Sequence, residues 1–173
     1  MRRKEYNVRL IMILLVSIIK VYMCGRFTLT INNDELMDYV KSKYDIIDFN
    51  KEYSIPNYNV APGTNIISVI NDGNKYHIGT LKWGFIPSFA KDHLINLINA
   101  KSETLFEKPS FKNAALNQRC IIIADGFYEW KTAKDKQPMR ITTSEKIFTM
   151  AGIWNSHIDH DGKKVYTVAI VTT

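Results

Sequence analysis

Asn65-Ile66-Ile67-Ser68-Val69-Ile70-Asn71-Asp72-Gly73-Asn74-Lys75-Tyr76-His77-Ile78-Gly79-Thr80-Leu81-Lys82-Trp83 is the stretch that decides the fold class. Two short runs suited to strands, Asn65–Ile70 and Tyr76–Trp83, flank Asn71-Asp72-Gly73-Asn74, a strong turn signal, so the stretch reads as a β-hairpin. The same grammar repeats downstream. Arg119–Ala124 leads into an Asp125-Gly126 turn and a further strand over Phe127–Lys131. Met139–Thr142 and Phe148–Ile153 bracket a polar turn at Thr143–Lys146, and Val165–Thr172 follows the turn Asp159-His160-Asp161-Gly162. One helix is expected near Asn33–Lys43, where Leu36, Tyr39, Val40 and Lys43 recur at helical spacing and Asn32 with Glu35 forms a cap. The expected class is α+β, built mainly on antiparallel sheet.

Length and charge narrow the function. Of the 173 residues and a net charge of +6, Met1 to Tyr22 carries Arg2, Arg3, Lys4, Arg9 and Lys20 against Glu5. The remaining 151 residues hold 18 basic and 16 acidic side chains, so any nucleic-acid contact must come from a local patch. The apolar run Leu10–Ile19 spans about 15 Å as a helix, half the roughly 30 Å hydrocarbon core. No small residues stand before a cleavage point at Lys20-Val21-Tyr22-Met23, which argues against a signal peptide. Residues 1–22 therefore read as a mis-assigned start or a pro-segment, and 23–173 as one domain. The two cysteines, one embedded in the apolar run at Cys120, suggest no disulfide framework and fit a cytoplasmic protein. No internal repeat or low-complexity tract interrupts the chain.

Cys24 stands directly after the internal Met23 in Met23-Cys24-Gly25-Arg26-Phe27. If the mature chain begins at Cys24, its α-amine and thiol form a 1,2-aminothiol. Such a group condenses with an aldehyde first to an imine and then to a thiazolidine. An internal cysteine cannot do so, because its nitrogen is an amide. The amine and thiol have ordinary pKa values of about 7.7–8.0 and 8.5, so either becomes nucleophilic with little tuning. The alternative for Cys24 is a small buried hydrophobe in a first strand.

Four further blocks follow in order: Asn57-Tyr58-Asn59-Val60-Ala61-Pro62-Gly63, Leu81-Lys82-Trp83-Gly84-Phe85-Ile86-Pro87, Ile98-Asn99-Ala100-Lys101-Ser102-Glu103-Thr104 and Ala124-Asp125-Gly126-Phe127-Tyr128-Glu129-Trp130. With the Met-Cys-Gly-Arg-Phe start, they resemble the SOS-response-associated peptidase (SRAP) family of abasic-site processing proteins. The resemblance runs from Met23 to the last residue. It implies a sheet curled into a barrel-like core with a few peripheral helices. It also implies a catalytic set of Cys24, Asn99 and Glu129. On an alternating strand Glu129 faces away from Tyr128 and Trp130, either into solvent or into a cleft that would raise its pKa. Asn99 reads as a strand-ending turn residue or, through the resemblance, as a group holding the cysteine amine and the opened sugar. Arg26 alternates onto the face of Cys24 and suits a phosphate, or is a plain surface arginine. Asn59 and Pro62 belong to a tight loop that wedges beside the lesion in the family. Phe89 stands where many members carry tryptophan, Ala90 replaces a second aromatic found in some, and Lys101 stands where arginine is usual, which loses the bidentate fork. Trp83 and Trp154 read as core.

No cofactor or metal is expected: His77, His93, His157 and His160 show no ligand spacing. The family pattern continues past Thr172 with a helix-like segment and a His-x-Arg-Met-Pro-type motif, so the C-terminal part of the domain is expected to be missing. The leading reading is an enzyme of the peptidase or hydrolase class that cross-links to abasic sites in single-stranded DNA. An imine stage would support lyase chemistry, and the family name implies a second possibility, in which Cys24, Asn99 and Glu129 remove the residues before Cys24 by autoproteolysis. The expected protein is a monomer with no membrane contact, in the cytoplasm at the nucleoid. The competing reading is an inactive remnant or a non-covalent single-stranded DNA-binding protein.

Overall fold

A computed structural model describes residues 25–46, 51–90, 95–130 and 137–173. Their elements are β1 (Phe27–Leu29), α1 (Asn33–Tyr44), β2 (Asn57–Val60), β3 (Asn65–Asn71), β4 (Tyr76–Trp83), β5 (Asn99–Lys101), α2 (Pro109–Asn117), β6 (Arg119–Ala124), β7 (Gly126–Trp130), β8 (Pro138–Ile141), β9 (Phe148–Ile158) and β10 (Lys164–Thr172). The hairpin expected at Asn65–Trp83 forms in full register, from Asn65 opposite Lys82 to Asn71 opposite Tyr76. Its turn is held locally. Asn71 Oδ1 accepts the Gly73 N–H at 2.7 Å, Asp72 Oδ1 accepts the N–H groups of Asn74 and Lys75, and Gly73 has φ +103°.

The hairpin is one wall of a barrel. Strands run in the order β4-β3-β6-β9-β10, and a parallel contact of Thr167 and Val168 with Lys82 and Trp83 closes β10 onto β4. Beyond that contact β10 leaves β4 and pairs with β5 instead, Ile170 opposite Asn99. A second antiparallel sheet, β2-β1-β7-β8, adds Phe27, Val60 and Phe127 to the barrel's interior cluster.

Consecutive apolar residues here alternate between two cores. Ile66, Ile122 and Ile170 point inward with Trp83. Their neighbours Ile67 and Ile123 point outward under Leu36 and Val40 of α1, and Ala169 points outward under Phe111 and Ala114 of α2. The unbroken apolar runs are explained by strands covered on both faces. At Gly152 an added Cβ would lie 2.8 Å from Cys120 Sγ, so the interior has no space for a side chain there.

Helix α1 carries the expected cap: Asn32 Oδ1 accepts the Glu35 N–H and Glu35 Oε2 accepts the Asn32 N–H. Several elements went unread in the sequence. Helix α2 starts at Pro109 and buries Phe111, Ala114 and Ala115, a three-to-four spacing that was visible. Asn57–Val60 is a strand as well as the start of a tight loop, and β9 continues to Ile158, five residues past the expected end. Asn99 opens a strand instead of ending one. Lys131, the expected end of β7, and His93 lie outside the described residues. Among the described residues no helix is long and apolar enough to cross a membrane.

After β4 the chain turns sharply at Gly84, whose φ is +141° and whose added Cβ would fall 1.7 Å from Asn96 Oδ1. The following segment is clamped: Phe85 and Leu97 exchange both backbone bonds, the Ile86 N–H donates to Thr167 Oγ1, and Asn155 Nδ2 donates to the Ile86 carbonyl. Gly84→Ala is therefore expected to lower stability by more than about 1 kcal/mol, since the backbone conformation disfavours any Cβ. Urea denaturation of variant and wild type checks this.

Candidate functional site

The site is built where the second sheet meets the barrel interior. Phe27 of β1 lies opposite Phe127 of β7, and both side chains enter the interior cluster. Phe27 packs on Trp83 with ring centroids 5.4 Å apart, and Trp83 has no exposed surface. Trp83 Nε1 donates to the Ile98 carbonyl at 2.9 Å, and the same carbonyl accepts the Ile170 N–H at 3.0 Å. One buried indole thus fixes the backbone immediately before Asn99. Because Asn99 registers with the inward-facing Ile170, it occupies the interior face of β5.

Glu129 is two residues past Phe127, so it shares that interior face. Its Oε1 is buried and has no hydrogen-bond partner among the described residues. Burial pushes its carboxyl above the ordinary range. Its cross-strand neighbour on β8 is Met139, and on the other side the register carried back from Phe27 puts Gly25 opposite it. A Cβ at Gly25 would meet nothing within 4 Å among the described residues. The arrangement is one half-buried carboxylate held above its ordinary pKa, with an amide on the same interior face. Cys24, one residue before Gly25, lies outside the described residues. Cys120 is buried in the interior, and burial pushes its thiol far up, which makes it inert.

The other face of the second sheet is polar and aromatic. Arg26 Nη1 donates to Asn59 Oδ1 at 2.8 Å, and the Arg26 carbonyl accepts the Tyr128 N–H. The Tyr128 hydroxyl donates to the Tyr58 carbonyl. Pro62 and Gly63 form a turn pinned to the barrel: Gly63 N–H donates to the Trp83 carbonyl at 2.7 Å and Trp83 N–H returns to the Thr64 carbonyl at 2.9 Å. Lys101 is exposed at the end of β5, and Phe89 is 59% exposed. Tyr58 and Trp130 are also exposed, at 65% and 46%, although neither stood out as a contact residue in the sequence. Their position beside Asn59 and Glu129 in the quoted blocks was the available signal.

Asp125 is the site residue that sequence reasoning misread. Asp125-Gly126 reads as a turn, but it is a corner where the chain passes from β6 in the barrel to β7 in the second sheet. The buried Asp125 carboxylate accepts from Thr28 Oγ1, from the Thr30 N–H and from Thr30 Oγ1, and Arg140 Nη2 donates to its Oδ1 at 3.1 Å. Burial alone would raise its pKa, but the bonds from Thr28, Thr30 and Arg140 outweigh that and hold it below the usual carboxylate range.

The two carboxylates therefore have opposite signatures. Glu129 is destabilising when charged, so Glu129→Gln is expected to raise the melting temperature at neutral pH. That gain should vanish below the ordinary carboxylate pKa of about 4.3. Asp125 stabilises the fold above its ordinary value of about 3.9, and this contribution is lost as pH falls through its lowered folded value. Asp125→Asn is expected to cost about 1.5–3 kcal/mol at pH 7, because Thr28, Thr30 and Arg140 lose a charged acceptor while the exposed Arg140 stays solvated. Thermal melts of both variants at several pH values separate the two behaviours.

The sequence profile described as SOS response associated peptidase (SRAP) matches residues 23–173. The chain is 46% identical over 158 residues to the abasic site processing protein YoaM of Bacillus subtilis (strain 168), covering 87% of this chain and 67% of that one. It is 33% identical over 118 residues to the abasic site processing protein YedK of Escherichia coli (strain K12), covering 66% of this chain and 51% of that protein. Among solved structures, one from Bacteroides thetaiotaomicron superposes with a TM-score of 0.72 at 24% identity, over 86% of this chain and 67% of that one, a likeness of fold. A phage-related protein from Bordetella bronchiseptica superposes with a TM-score of 0.63 at 27% identity, over 87% of this chain and 69% of that one.

Proposed function

Since this chain belongs to the SOS response associated peptidase (SRAP) family, we propose that it processes abasic sites in DNA by covalent capture through Cys24. The observation that carries the proposal is Glu129. Its half-buried carboxylate lacks a structural partner among the described residues, shares an interior face with Asn99, and lies across from the residue that follows Cys24. A carboxylate that destabilises the fold is explained by chemistry better than by structure.

The substrate is a ring-opened abasic sugar in single-stranded DNA, which presents a C1′ aldehyde. The free α-amine of Cys24 adds to that carbon, and the carbinolamine loses one water to give an imine. The thiol then adds across the imine and closes the thiazolidine. Glu129 takes the proton that the attacking amine releases and returns it to the departing hydroxyl. Asn99 orients the amine and the sugar without titrating, while Arg26 and Lys101 attract the flanking phosphates. Asn59 and Pro62 supply a rigid edge, and Phe89 supplies an aromatic face for a neighbouring base. The amine must be free, so synthesis from Met23 with loss of methionine, or autoproteolytic removal of 1–22, precedes capture. Protein acting at the imine stage would also support lyase cleavage.

Chain beginning at Cys24 is expected to form a heat-stable adduct with an abasic oligonucleotide. Cys24→Ser should abolish the stable adduct, since oxygen is the poorer nucleophile. Glu129→Gln should slow capture by roughly 10²–10⁴-fold and leave affinity for undamaged strand nearly unchanged. Lys101→Ala should weaken binding and reduce its salt dependence by about one counterion, with near-normal capture at saturation. Gel-resolved adduct rates and equilibrium binding on the same variants test these roles. An undiminished adduct with Cys24→Ser overturns the proposal.

A further inference from the structure

The geometry assigns Arg140 of β8 as a positioning residue: through Asp125 it fixes the register of β1 on β7, and so sets how the chain entering β1 meets Glu129. This inference rests on the proposed capture by Cys24. Strand β1 is three residues long, yet its register places Gly25 across from Glu129. Its pairing with β7 is as short, Phe27 opposite Phe127 and Thr28 opposite Gly126. So brief a ladder, extended only by the Tyr128 N–H bond to the Arg26 carbonyl, defines its register weakly, and a slip of one residue would turn Phe27 out of the interior and Gly25 away from Glu129.

The missing definition comes from one carboxylate. Asp125 accepts three donors from β1, namely Thr28 Oγ1, Thr30 N–H and Thr30 Oγ1, and its own N–H donates to the Thr28 carbonyl at 3.0 Å. Protonation would turn one of these acceptor sites into a donor and weaken the set, so the arrangement favours the charged form of Asp125 although it is buried. Arg140 makes that charge tolerable. Its Nη2 bonds both the carboxylate and the Asp125 carbonyl, and its Nε donates to Thr28 Oγ1 at 3.1 Å. A single guanidinium therefore grips the corner and β1 together, a geometry that lysine cannot reproduce. Gly126 is part of the device. A Cβ there would lie 2.7 Å from Arg140 Nε and 2.8 Å from Thr28 Oγ1, so only glycine lets the guanidinium cross the sheet. Arg140 registers with Tyr128, whereas Met139 registers with Glu129, so Arg140 belongs to the face opposite the candidate carboxylate and acts without touching substrate.

Misplacement of reacting groups by about 1 Å can cost about 10²-fold in rate. The test uses chain beginning at Cys24 and measures adduct formation on an abasic oligonucleotide at saturation, together with affinity for the undamaged strand. Arg140→Gln is expected to slow capture by about 10–100-fold, with affinity changed by less than about twofold because the guanidinium is spent on Asp125. Added guanidinium ion at low millimolar concentration should restore part of the rate. Arg140→Lys, which keeps the charge and guards against unfolding, should fall between Arg140→Gln and wild type. Wild-type chain that forms no adduct overturns the proposed function itself. If wild type reacts, equal rates for Arg140→Gln and wild type overturn this inference alone. So does a loss that merely tracks weakened DNA affinity, or one that guanidinium leaves untouched.

Discussion

The carboxylate of Asp125 is the constraint on which the site depends. It lies at the corner where one strand stops being barrel and becomes the second sheet, and it takes donors from β1 on one side and β8 on the other. A buried charge is expensive unless every lone pair is used and an opposite charge stands by. Here both conditions hold, and the sheet is therefore assembled in one register. The placement of Gly25, Glu129 and the exposed Arg26–Asn59 pair follows from that register.

The barrel supplies the complementary rigidity. Its interior is packed to the point that Gly152 has no space for a methyl group, and the buried Trp83 reaches from that core to the backbone before Asn99. Close packing of this kind transmits position well, because side chains cannot repack without cost. Asn99 and Glu129 come from different sheets, yet they share one interior because Phe27 and Phe127 carry the second sheet into it. Within five residues of sequence the two acids contrast: the Asp125 carboxylate is fully hydrogen-bonded, whereas Glu129 Oε1 is buried with no hydrogen-bond partner among the described residues.

Local elements were legible where their signals are local. The β3–β4 turn is made by Asn71 and Asp72 bonding their own neighbours, and the start of α1 by Asn32 and Glu35 bonding each other. Both are short-range hydrogen bonds that a sequence encodes directly. Helix α2 was missed although Phe111, Ala114 and Ala115 have helical spacing, because nine residues give a weak periodic signal. Asp125-Gly126 was misread for a different reason. An aspartate before glycine favours a turn locally, but here its partners Thr28, Thr30 and Arg140 stand 97, 95 and 15 residues away.

By itself the sequence determined the strand-rich class, the hairpin, the capped helix and, through its ordered blocks, the family to which the chain belongs. It also carried the identity of the candidate residues, since Cys24, Asn99 and Glu129 stand inside those blocks. The tertiary structure alone decided which face each residue takes. Alternation tells that Glu129 and Trp130 point opposite ways, but not which way is in. That choice was made by long-range pairing: Phe127 opposite Phe27, Ile170 beside Asn99, and Arg140 folded over Gly126. Such contacts join positions far apart in the chain, so their energy is realised only once the whole barrel and its second sheet are closed.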